Sequence, residues 1–106
     1  MLVIHIDYNE TVDTESVKKL VSAMHTIVSE STAIQEAPVY ARKAPFQSYT
    51  APIEIFIEID SHTVKDSNAL VANIKARIQK WKKVHAFQYP INLSLIPTKW
   101  KTEIGI

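Results

Sequence analysis

The sequence predicts an α/β (α+β) two-layer sandwich, built from a duplicated β-α-β unit. The expected sheet has four strands of mixed direction, with two helices on one face and a C-terminal edge strand. Three observations carry this. Ile53 to Asp60 alternates strictly, with Ile53, Ile55, Ile57 and Ile59 on one side and Glu54, Phe56, Glu58 and Asp60 on the other, the pattern of a strand buried on one face. Two stretches show apolar residues at helical spacing. Finally, the pattern of the first half returns in the second.

Leu2, Ile4 and Ile6 correspond to Ile53, Ile55 and Ile57 at an offset of 51. Leu20, Val21, Met24 and Val28 correspond to Leu70, Val71, Ile74 and Ile78 at an offset of 50. Pro38-Val39 corresponds to Pro90-Ile91 at an offset of 52. Such steady offsets over strand, helix and strand indicate internal duplication. We expect one domain over residues 1–106, with pseudo-repeats 1–43 and 53–96.

In chain order, Leu2 to Tyr8 alternates and forms the first strand. Thr11, Asp13 and Thr14 offer helix caps, and Glu15 suits the first turn. Val17, Leu20, Val21, Met24, Ile27 and Val28 make the first apolar stripe, which fades after Ser31. Val39 to Lys43 is a short strand. Ala44 to Pro52, with Pro45, Phe46 and Tyr49, is an irregular connection with room for a short edge strand. Thr63, Asp66 and Ser67 are alternative caps for the second helix, striped by Leu70, Val71, Ile74, Ile78 and Trp81. Ile91 to Ile96 is the fourth strand, which Pro97 should end. Lys99 to Ile106 alternates again through Trp100, Thr102, Ile104 and Ile106.

With 106 residues and 46% apolar content, the chain has the size and composition of one globular domain. It has no cysteine, so disulfides, thiolate metal sites and a cysteine nucleophile are excluded. Its single glycine, Gly105, excludes phosphate-cradling loops and dinucleotide fingerprints, and no cofactor is expected. No apolar run reaches the ~20 residues of a membrane span, and no signal-peptide pattern opens the chain. The expectation is a cytoplasmic protein with no membrane partner.

Net charge is +1, but residues 1–60 carry −5 and residues 61–106 carry +6. Lys75, Arg77, Lys80, Lys82 and Lys83 are better read as a solvated helix end than as a nucleic-acid surface. His5 and Asp7 share a strand face that Glu54 or Glu58 could approach. With no compact ligand motif, a hydrogen-bonded interface histidine is favoured over a metal site. The face opposite the helices mixes Val3, Phe56 and Ile96 with acids and amides, which suits a subunit interface. The tail would then add a strand to a neighbour.

The doubled units, the Pro52-Ile53-Glu54-Ile55 stretch with its following helix, and Ile91-Asn92-Leu93-Ser94-Leu95-Ile96-Pro97 resemble the tautomerase superfamily, which includes macrophage migration inhibitory factor. The likeness is to a bacterial branch lacking the N-terminal proline. The resemblance implies a homotrimer, and a keto–enol tautomerase whose base is the secondary amine of an N-terminal proline. Here Leu2 stands where that proline belongs, and Pro52 opens the second unit with an amide nitrogen. Proline-dependent activity is therefore expected to be absent. The candidate catalytic group that remains is the Met1 α-amine, acting weakly on a small keto or enol carboxylate. Leu2, Tyr40, Arg42, Lys43, Asn92 and Lys99 are the candidate substrate-binding residues around it, the cations holding the carboxylate. A ferredoxin-like β-α-β-β-α-β module with a regulatory or assembly role fits the same element order.

Overall fold

The computed structural model describes residues 1–44, 51–101 and 103–106. Pro45, Phe46 and Tyr49 of the expected connection, and Thr102 of the tail, lie outside the described residues. The elements are β1 (Leu2–Tyr8), α1 (Thr14–Thr32), β2 (Val39–Lys43), β3 (Ile53–Asp60), a short 3-10 turn (Ser61–Thr63), α2 (Ser67–Val84) and β4 (Ile91–Thr98). The strands lie in the order β2-β1-β3-β4.

β1 and β2 run parallel, β3 and β4 run parallel, and β1 meets β3 antiparallel. Each helix therefore joins two strands that are direct neighbours. A ferredoxin-like module splits its β-α-β units, inserting another strand between those that a helix connects. The pairing here is not of that kind.

Alternation decides which face is covered. Leu2, Ile4, Ile6, Ile53, Ile55, Ile57 and Ile59 are buried, and they share one core with Val17, Leu20, Met24, Ile27 and Val28 of α1 and Ile74 and Ile78 of α2. Each such side chain contributes about 1.5–3 kcal/mol when fully removed from water. Both helices thus cover one face, and the two layers are held by a single apolar seam.

Of the three caps the sequence offered α1, Asp13 is used. Its carboxylate accepts the Ser16 amide at 3.0 Å and the Ser16 hydroxyl at 2.6 Å. At α2 the cap is Asp66, which accepts the Ala69 amide at 3.0 Å. The chain leaves both helices through alanines in left-handed conformation, Ala33 at φ 60° and Ala86 at φ 51°. Trp81 anchors the end of α2, its ring 5.0 Å from that of Phe87.

One boundary differs from expectation. β4 does not stop at Pro97 but continues through it to Thr98. β4 lies at the edge of the sheet, where a residue without an N–H can face solvent and cost no ladder bond. Beyond Thr98, residues 99–101 and 103–106 form no strand within the protomer.

Candidate functional site on the open sheet face

The face away from the helices is a grid whose rows are fixed by strand register. Tyr40, His5, Phe56 and Ser94 form one row. Arg42, Asp7, Glu54 and Asn92 form the next row towards the Tyr8 end. Val3, Glu58 and Ile96 form a row on the other side. A shallow hollow of about 520 Å³ lies over the centre, lined by His5, Asp7, Tyr40, Arg42, Phe56, Glu58 and Ile96.

Local contacts orient these groups. The His5 and Tyr40 rings stack at 5.8 Å with 24° between their planes. Arg42 Nη2 donates to Asp7 Oδ2 at 3.4 Å, with the Arg42 side chain 77% exposed. So open and long a pair contributes ~1 kcal/mol at most, and the guanidinium keeps donors for another acceptor. Asn92 Nδ2 donates to Glu54 Oε1 at 3.0 Å. The hollow thus offers a cation, two carboxylates and aromatic walls.

The expected pocket is only partly assembled within one chain. Tyr40, Arg42 and Asn92 share the open face, in adjacent rows. Lys43 follows Arg42 in a strand, so it projects to the helix side, opposite Tyr8. Leu2 points into the core and is 1% exposed. Met1 lies at the far end of β1, its carbonyl accepting the Asp60 amide at 3.0 Å. Asp7, the neighbour of Arg42, stands six residues along, roughly 20 Å at strand rise. Lys99 follows Thr98, which is paired with Asp60, and so lies at the Met1 end. Met1 and Lys99 are therefore separated from Tyr40, Arg42 and Asn92 in the protomer.

The sequence reading left Glu58, His5 and Phe56 out of the binding set, although all three line the hollow. The signal that could have found them was period-2 alternation combined with the β1–β3 register. That register depends on which strands pair. No helix among the described residues is long and apolar enough to cross a membrane.

No family model matches the chain, and no curated protein matches its sequence. Solved structures do match. Pt0534 inactivated by 2-oxo-3-pentynoate aligns with a TM-score of 0.72 at 13% identity, over 98% of this chain and 94% of that one. A domain of unknown function (DUF1904) from Sebaldella termitidis aligns at 0.68 and 14% identity, over 100% of this chain and 98% of that one. A fused 4-OT wild-type asymmetric trimer aligns at 0.67 and 10% identity, over 98% and 91%. At such identities the likeness is one of backbone architecture. What this chain shares with these structures, nearly end to end, is the tautomerase fold, which here places two β-α-β units on one four-stranded sheet.

Proposed function

We propose that the protein is a homotrimer of tautomerase fold that binds a small carboxylate and lacks proline-dependent keto–enol tautomerase activity. One observation carries the reading: the head of β1 is Met1-Leu2, and the Leu2 side chain is 1% exposed in the core. The base that the resemblance calls for is a secondary amine at that place. Each of the five prolines of this chain follows another residue, so each nitrogen is an amide without basicity. Arg42, with Tyr40 in the next row, supplies the anion-binding chemistry that remains. Assembly of three copies is supported by the fused 4-OT neighbour, which is itself a trimer, and by the half-apolar open face.

Sedimentation equilibrium and an enol-ketonisation assay test this together. The native protein should sediment as three chains and convert phenylenolpyruvate no faster than buffer. Benzoate, a non-reactive carboxylate, should bind and lose affinity in Arg42→Ala. Turnover by the native protein would overturn the reading. If that turnover vanished on acetylating the α-amine, Met1 would be the base.

A further inference from the structure

Four carboxylates belong to the open face, and three are engaged. Asp7 meets Arg42 at 3.4 Å, Glu54 accepts from Asn92 at 3.0 Å, and Asp60 accepts the His62 amide at 2.9 Å. Glu58 has neither a hydrogen bond nor an ion pair among the described residues, although it is partly buried and lines the hollow. Its directly paired neighbours are Val3 and Ile96, which offer no polar group. His5, two residues along β1 from Val3 on the same face, is stacked on Tyr40 and makes no hydrogen bond to Glu58. Arg42 stands opposite Asp7, four residues along β1 from Val3, roughly 13 Å away at strand rise. A carboxylate half out of water beside apolar side chains is unfavourable without a counter-charge. The aromatic walls of the same hollow favour an organic cation.

The chain carries cations placed to answer it. Lys99 and Lys101 belong to a tail whose described residues, 99–101 and 103–106, form no strand within the protomer, and neither makes an ion pair among the described residues. Ile104 is 92% and Ile106 106% exposed, while Trp100, nearer β4, is half-buried. The tail itself, residues 99–106, carries Lys99 and Lys101 against Glu103, a net of +1, whereas the open face of β1 and β3 presents Asp7, Glu54, Glu58 and Asp60.

We infer that the hollow over Glu58 receives a lysine ammonium, Lys99 or Lys101, from the tail of a second copy of this chain. The inference rests on the homo-oligomer reading above and names the contact that makes assembly specific. Closing the face over Glu58 strengthens the pair, because its surroundings then lose water. Association therefore weakens as salt is raised.

Charge reversal read by sedimentation decides it. Glu58→Gln, and separately Lys99→Glu with Lys101→Glu, should each weaken association about tenfold or more. A chain combining Glu58→Lys with both lysine reversals should recover it. Urea unfolding of each variant at low concentration separates assembly from folding: a lysine reaching Glu58 within its own chain would change protomer stability and leave association unaltered, overturning the inference. Association unchanged or tightened in Glu58→Gln, or no recovery in the combined chain, would overturn it too. A native protein that sediments as one chain would remove the assembly reading itself.

Discussion

Asp60 donates its backbone N–H to the Met1 carbonyl at 3.0 Å, closing one end of the central antiparallel pair. The other end is closed in the same way, by Asn9 donating to Pro52 at 3.0 Å. Met1 and Pro52 are 51 positions apart, and so are Asn9 and Asp60. The bond holds the entry of β1 against β3 and seats Leu2 in the core. Leu2→Ala should therefore cost about 2–4 kcal/mol in urea unfolding, the penalty of a truncated buried leucine. Benzoate affinity should stay unchanged, since the side chain is on the helix side. A variant that keeps its stability and loses the ligand would place Leu2 at the binding site instead.

This architecture was legible because its main signals are local. The isoleucines of β3 mark a strand at period 2, and the stripe from Val17 to Val28 marks a helix at period 3.6. Their recurrence supplied the topology. The site was less legible because it depends on pairing across strands. Arg42 and Lys43 look like a double cation in sequence, yet alternation sends them to opposite faces. Met1 and Arg42 both looked close to a pocket, but strand direction puts them at opposite ends of β1. Glu58 became visible only when register placed it between Val3 and Ile96.

The Asp7–Arg42 pair sets how well the open face can hold an anion. Asp7 occupies part of the guanidinium fork and adds a negative charge beside it. Asp7→Asn should tighten benzoate binding several-fold, on the order of 1 kcal/mol, by relieving both effects. Arg42→Ala should abolish saturable binding, and Lys43→Ala should leave it alone. Titration calorimetry gives all three. Equal losses in Arg42→Ala and Lys43→Ala would mean that the ligand lies beyond the end of the strand.

Ala33 and Ala86 hold left-handed conformations that glycine adopts without strain, at φ 60° and 51°. A Cβ in that region costs roughly 1 kcal/mol. Replacing either by glycine relieves it, offset in part by the larger entropy of the unfolded chain. Ala33→Gly and Ala86→Gly should each stabilise the fold by about 0.5 kcal/mol, and the two should add because they cap different helices. Calorimetric melting tests this. A loss of stability in both would show that the alanine methyls pack usefully.

Asp13 links the fold to pH. Its carboxyl is held below the ordinary carboxylate range, first by the Ser16 hydroxyl, then by the Ser16 amide, with the Tyr89 hydroxyl assisting at 3.1 Å and partial desolvation opposing. A carboxylate lowered on folding stabilises fully above its unfolded pKa, and that stability is lost as pH falls through the lowered value. Asp13→Asn keeps a capping oxygen but cannot titrate. The native protein should therefore lose stability faster than Asp13→Asn as pH falls below about 4. Urea midpoints measured down this range should converge, and parallel curves would show that the cap does not depend on charge.

Pro97 lies inside β4, opposite Ile59 of β3. Since β4 is an outer strand, the nitrogen at this position can face away from the sheet, and a restored N–H would meet water. Pro97→Ala should then change stability by no more than about 0.5 kcal/mol. Ile57 offers the contrast, because β3 is bonded on both sides and a proline there loses a ladder bond as well as a core side chain. Ile57→Pro should fail to fold. The consequence of Pro97→Ala lies in association, since an added N–H on an exposed edge gives another strand a donor. Light scattering should show the variant associating at lower concentration than the native chain. A stability gain above about 1 kcal/mol would instead mean that the nitrogen faces Ile59, where its missing hydrogen bond weakens the sheet.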